Sequence, residues 1–349
     1  MRRMSAPDTI SVADFFAERA RPVDTGAADV RDGLRYLGDR DLLALGAGSD
    51  GGADLVAAVE LLESVAGECL SSAFALWAHR MVLEYLARAE DRGVAGRVAE
   101  PLRCGELTGA TAMATALRDV AGLAPVPVSA EASGGGLRLR GRIPWASNLF
   151  PDAVVVLPVR LPEQGRAVVV TRVGTAGMTV ERSPELLALN GTASSSVRLQ
   201  DVRVPPDAVL STDLRAFVDS FRRPFLLLQT AFCAGLARRC LTEARAASAD
   251  TGSEFGADLS EQQASVGGLR KSLRELASDT RGTGAADFVR LRLAGARAAV
   301  AASRLEASVR GGAGYVAASG TSRRLREAAF LPIQAPTEGH LRWELSRSG

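Results

Sequence analysis

Apolar residues recur at three- and four-residue spacing through two segments near the start of the chain, Ala53–Ala66 and Ser71–Ala89, with Leu76, Val82, Leu83 and Leu86 on one stripe. That period predicts helices packed on a core. Between Leu102 and Thr212 the period shortens to that of strands. Leu137–Arg140, Ala153–Val159, Ala167–Thr171 and Ser196–Leu199 are β-rich runs broken by Gly, Pro and Asn, and Ser133-Gly134-Gly135-Gly136 has the makings of a hairpin tip. Beyond Leu214 the helical period returns in three long stretches, Phe225–Ala247, Ser260–Thr280 and Ala285–Val309, and Gly311-Gly312 ends the last of them.

The expected architecture is α+β in three sections. A helical section spans 1–101, a β-domain, barrel or sandwich, spans 102–212, and a helical bundle spans 213–349. No Gly-x-Gly-x-x-Gly follows a strand and opens a helix, so a dinucleotide site of the parallel-sheet kind is not expected.

Composition narrows the function classes. With 349 residues, of which 47% are hydrophobic, the chain is long enough for sizeable cores. A net charge of +2 with interspersed signs gives no basic stripe for nucleic acid. No run of eighteen apolar residues predicts a membrane span, and no apolar stretch of signal-peptide length follows the basic start, so a cytoplasmic location is expected. Cys69, Cys104, Cys233 and Cys240 are scattered without metal-ligand spacing to the two histidines, and read as free thiols. His79, inside an apolar helix beside Trp77, reads as a satisfied core histidine, with pocket lining as the alternative.

Four segments in order carry a family resemblance: Asp119-Val120-Ala121-Gly122; Trp145-Ala146-Ser147-Asn148, followed by Asp152; Asp201-Val202-Arg203-Val204-Pro205; and Gly311-Gly312 with Gly314-Tyr315, then Arg326-Glu327-Ala328. Together they resemble the acyl-CoA dehydrogenase family over essentially the whole chain. The resemblance implies an N-terminal helical domain, a central β-domain and a C-terminal four-helix bundle. It also implies FAD as cofactor, an acyl thioester as substrate, and a homodimer or homotetramer in which the flavin is shared with a neighbouring subunit. By position it makes Trp145 a wall for the flavin ring and Ser147 a hydrogen-bonding partner of flavin N5. Phe255 and Gln263 match a bundle motif that reaches a partner's flavin, and Gly311 and Gly312 would approach the diphosphate.

The chain also departs from the family pattern. The loop before Asp119 is shorter, leaving Thr115 as a hydroxyl and Arg118 as a charged substitute for a phosphate-contacting serine. Gly252 stands where an arginine usually reaches the partner's flavin, and Ser308 replaces a glutamine. Where the family carries its catalytic glutamate, this sequence has Gln334-Ala335-Pro336-Thr337, and the stretch Pro224–Leu228, where some relatives place the base, has no acid. A three-residue shift would bring Glu338 into the role, with Arg222 or Arg223 orienting it or the substrate; an exposed glutamate opening the terminal helix is the plain alternative.

Three functions are open to such a chain. One is an FAD-dependent acyl-thioester dehydrogenase using Glu338. Another is a monooxygenase of the same superfamily, taking reduced FMN or FAD from a reductase. The third is a non-catalytic subunit of a hetero-oligomer.

Overall fold

The computed structural model describes residues 11–90, 93–251 and 253–347. The basic start of the chain and Gly252 lie outside the described residues. The first section holds α1 (Val12–Asp24), α2 (Arg31–Gly38), α3 (Ala53–Glu68), α4 (Leu70–Ala87) and α5 (Gly93–Arg103). Helix α4 is buried on all sides, from Leu70 to Leu86. Its polar residues therefore need partners inside the protein. Glu84, fully buried, accepts from Arg80 Nη1 at 2.8 Å, from Arg88 Nε at 2.5 Å and from the backbone N–H of Gly48 at 3.0 Å. Those bonds tie the glycine-rich loop before α3 to the centre of the molecule.

The middle section carries β1 (Gly109–Thr111), α6 (Ala114–Val120), β2 (Ser129–Ser133), β3 (Gly136–Ala146), β4 (Val154–Arg160), β5 (Arg166–Arg172), β6 (Met178–Val180), β7 (Ser195–Val204) and β8 (Val209–Ser211). They hydrogen-bond into one eight-stranded sheet in the order β6-β7-β3-β2-β4-β5-β8, with β1 added to β4. Most pairs are antiparallel; β1 and β2 run parallel to β4. The expected hairpin forms, with Ser133 opposite Gly136. Strand β4 is buried at six successive positions, as its unbroken Val/Leu/Pro run requires.

The β3–β7 register shifts between Ile143 and Ala146, across Pro144 and Trp145. Proline has no N–H for the ladder, so the strand bulges there and aims Trp145 away from the regular pleat.

The last section comprises α7 (Leu214–Thr251), α8 (Gly256–Ser278), α9 (Ala285–Arg310), the single turn α10 (Gly312–Tyr315), α11 (Gly320–Phe330) and α12 (Glu338–Leu345). Helices α8, α9 and α11 pack on α7, and α9 also meets α8 and α11; α3 lies against α7, and α12 against α9. Helix α7 starts at Leu214, where the helical signal of the sequence returns and ahead of the long stretch Phe225–Ala247. Phe217, Phe221 and Phe225, at four-residue spacing, are all buried, and that apolar stripe carries the helix through Pro224. Glu306 of α9 joins α11 through Arg324 Nε at 2.9 Å and Thr321 Oγ1 at 2.6 Å. The order of helices, sheet and helices is the α+β arrangement expected from the sequence.

Candidate functional site

A cavity of about 790 Å³ opens where the three sections meet. That is the size class of small-molecule sites. Its floor is aromatic: Phe74 stacks on Trp77 at 5.5 Å, and Phe225 and Phe330 each meet one of these rings edge-on at 5.0 Å.

One wall comes from the β-section. Trp145, Ser147, Thr115 and Arg118, singled out from two segments of the sequence, all line this one cavity. Trp145, held out by the β3 bulge, is 54% exposed, an unusual state for so large an apolar ring. Ser147 ends a chain of hydroxyls: Thr192 and Ser194 lie 2.8 Å apart, and Ser194 Oγ donates to Ser147 Oγ at 2.9 Å. Arg118, on α6, is exposed and pairs with no carboxylate among the described residues. Asp119 beside it turns the other way, holding Arg166 at 3.0 Å and the N–H of Val126 at 2.9 Å.

The opposite wall is the segment between α11 and α12. Gln334, Ala335, Thr337 and His340 line the cavity there, with Arg326 and Trp343. The segment is braced from below by Arg292, 1% exposed, which donates to Leu331 O at 2.9 Å, Gln229 Oε1 at 3.0 Å and Gln334 Oε1 at 3.2 Å. Gln229 Nε2 in turn donates to Ala335 O at 2.9 Å. With its oxygen held by Arg292, Gln334 leaves a buried Nε2 without a partner. No aspartate or glutamate is among the described residues lining the cavity.

Glu338 is not at this wall, although Thr337, Gly339 and His340 are. Its carboxylate accepts from Arg297 Nη2 at 3.1 Å and Arg342 Nη2 at 2.5 Å, near the surface. The hydrogen bonds from Arg297 and then Arg342 hold its carboxyl below the usual carboxylate range. Arg223 lies over the Phe288 ring at 5.8 Å and does not line the cavity. Phe255 packs against the core at the start of α8, and Gln263 accepts from Arg245 at 3.0 Å on an exposed face. Gly311 caps α9 with φ of 55° and Gly312 opens α10, also away from the cavity. The cofactor residues expected from the sequence thus divide into four that meet at the cavity and four on the bundle's outer parts. His79 is fully buried and satisfied, outside the cavity lining.

His340 is not among the residues expected from the sequence. It is 7% exposed, lines the cavity, and places Nε2 at 2.7 Å from Oε1 of Glu344, one helical turn on. Glu344 also accepts from Arg222 Nη2 at 2.5 and 2.6 Å. A histidine and a glutamate four residues apart on one short helix are visible in the sequence; the remote Arg222 has no local signal.

No family model matches the chain, and no curated protein matches it. Solved structures do. Glutaryl-coenzyme A dehydrogenase in complex with glutaryl-CoA superposes with a TM-score of 0.87 at 16% identity, over 98% of this chain and 96% of that one. A glutaryl-CoA dehydrogenase from Mycobacterium smegmatis in complex with FADH2 gives 0.84 at 16% identity, covering 97% and 92%. FkbI, described for biosynthesis of the methoxymalonyl extender unit of the polyketide immunosuppressant Fk520, gives 0.78 at 21% identity, covering 97% of each chain. The architecture implied by the sequence motifs and the architecture of these neighbours are the same: the chain has the acyl-CoA dehydrogenase fold.

Proposed function

We propose that this protein is a flavin-dependent oxidoreductase acting on an acyl thioester, with FAD as the flavin. The observation that carries the reading is the convergence of Trp145, Ser147, Thr115 and Arg118 on one cavity, from two separate segments of the sequence. The fold neighbours add weight, since one is a complex with glutaryl-CoA and another with FADH2.

The residues present fit such a group. The half-exposed Trp145 ring offers a flat apolar face, and the Ser147–Ser194–Thr192 hydroxyls offer donors beside it. Arg118, lacking a carboxylate among the described residues, is suited to a phosphate. Bound there, a flavin supplies an acceptor for hydride. The chain's own part is to orient the acyl group against the aromatic floor and exclude water. A subunit arrangement in which Phe255, Gln263, Gly311 and Gly312 serve a neighbouring copy's cofactor belongs to the same proposal.

The test is direct. Purified protein titrated with FAD should quench flavin fluorescence, and anaerobic acyl-CoA should bleach the bound flavin's absorbance. Failure to bind flavin would overturn the reading.

One observation favours a second reading, the monooxygenase. No carboxylate lines the cavity among the described residues, and oxygen insertion does not require one. Bleaching only by an external reductase, with peroxide released in air, would select it.

A further inference from the structure

We propose that His340 is the acid–base group of the cavity, accepting the α-proton of a bound acyl thioester on Nδ1, with Glu344 and Arg222 as its positioning residues. The substrate class rests on the proposed function; the arrangement of the three side chains stands on its own.

Removal of an α-proton needs a base facing the substrate, and among the described residues lining the cavity His340 is the one ionisable side chain with a nitrogen lone pair to offer. The others, Arg118 and Arg326, stay protonated. Arg326 is paired with Asp24 at 2.6 Å. Glu338 is held outside by Arg297 and Arg342.

The second observation is orientation. Nε2 of His340 lies 2.7 Å from Glu344 Oε1, an ion-pair contact out of line for a regular hydrogen bond, and a carboxylate at that distance favours a proton on Nε2. The lone pair is then on Nδ1, which has no hydrogen-bond partner among the described residues. Thr337 Oγ1 accepts the N–H of His340 at 3.2 Å and fixes the first turn of α12, and the Trp343 ring stands 6.4 Å from the imidazole.

The third observation is charge. Arg222 reaches from α7 to Glu344, burying an ion pair whose side chains are 17% and 18% exposed. Burial pushes the Glu344 carboxyl up, but His340 and Arg222 more than offset it, and the net shift is downward. An ionised Glu344 stabilises the imidazolium that proton abstraction creates.

In the step itself the α C–H bond breaks, and its electron pair passes into the thioester carbonyl to give the enolate. The proton forms a new N–H bond at Nδ1. Reversal with a solvent-derived deuteron returns the thioester labelled at the α-carbon, and no oxidant is consumed.

That exchange is the experiment. Flavin-loaded protein is incubated with butyryl-CoA in D₂O without an electron acceptor, and deuterium at C2 is followed by ¹H NMR. Wild type should exchange. His340→Gln should lose about 100-fold or more, the range of a removed general base. Glu344→Gln should exchange more slowly. Unchanged exchange in His340→Gln would overturn the proposal, as would absence of exchange in wild type that binds both flavin and butyryl-CoA.

A second arm needs no ligand. The chain has two histidines, so the imidazole ¹H–¹⁵N spectrum separates His340 from His79 cleanly. Glu344→Gln should move the His340 ring ¹⁵N resonances away from the pattern of a proton held on Nε2; unmoved resonances would remove Glu344 as a positioning residue. A protein that binds neither flavin nor butyryl-CoA would sink the function and the substrate named here, and this spectrum would still decide the dyad.

Discussion

Gly109 donates its backbone N–H to Nδ1 of His79 at 3.0 Å, while Nε2 of the same ring donates to the carbonyl of Leu102 at 2.9 Å. The carbonyl of Gly109 also accepts from Asn148 Nδ2 at 3.1 Å, so one residue of β1 links α4, the end of α5 and the turn after Trp145. The approach leaves no room for a side chain: a Cβ on Gly109 would lie 2.8 Å from Val82 Cβ and 3.0 Å from the carbonyl oxygen of His79. With one nitrogen donating and the other accepting, only the neutral imidazole satisfies both bonds. Burial depresses the His79 pKa from the ordinary 6.5 to about 4. Between those values the unfolded chain takes up a proton that the folded one refuses, so the stability His79 contributes is complete above pH 6.5 and declines as pH falls towards 4. The full loss is roughly 3 kcal/mol. Denaturant midpoints of wild type between about pH 7 and 4.5 should fall accordingly, and His79→Gln should flatten this part of the profile even if it is less stable throughout.

Trp145 gives a prediction of the opposite kind. It is a half-exposed ring on a bulge, and removing it creates no buried hole. Trp145→Ala should therefore leave the melting temperature within a few degrees of wild type and weaken FAD binding about tenfold or more, the value of one lost aromatic contact with a flat ligand. Fluorescence titration and a thermal scan on the same sample read both quantities. A variant that binds FAD as wild type does would remove Trp145 from the flavin wall.

The alternation of helical and strand periods makes the three sections legible, because each is long enough for its period to repeat. Helix α7 begins ahead of the stretch Phe225–Ala247 picked out from sequence, and packing of Phe217, Phe221 and Phe225 carries it through Pro224. At the site, the wall formed by local motifs is legible: Trp145 and Ser147 share one strand end, and Thr115 and Arg118 share one short helix. The other wall is legible in position, since Gln334–Thr337 stands where the family carries its glutamate and lines the cavity, but its bracing is not, because that depends on contacts over long separations, Arg292 with Gln334 and Arg222 with Glu344. Glu338 fits a shifted motif, yet His340, one position past Gly339, takes the inward place. On a helix, adjacent positions point about 100° apart, so a motif displaced along α12 does not keep the same face.

Glu338→Gln separates these two residues in solution. Its carboxylate is paired with Arg297 and Arg342 near the surface, where such pairs contribute about 1 kcal/mol or less. The variant should show a small loss of stability, unchanged FAD affinity and unchanged α-proton exchange. A loss of exchange comparable with that of His340→Gln would return the role of base to Glu338.

Arg292 tests whether the inner wall is held from beneath. Among the described residues it has no carboxylate partner; its guanidinium is satisfied by Gln229, Gln334 and the carbonyl of Leu331, with Cys233 Sγ at 3.8 Å. Two effects oppose each other when it is replaced by methionine. Taking a buried charge away relieves a desolvation cost, and that alone is able to stabilise a protein. Against this, three buried acceptors lose their donor at about 1–3 kcal/mol each. The second effect should win, with a net loss of roughly 2–4 kcal/mol in a denaturant titration. The segment from Leu331 to Thr337 would then lose its brace, since Gln229 also holds Ala335 and would be freed on its other end. FAD and acyl-CoA affinities should both fall in Arg292→Met, although the residue does not line the cavity. A variant as stable as wild type would mean that burial of the charge costs as much as its three hydrogen bonds return, and unchanged affinities would mean that the wall keeps its shape without them.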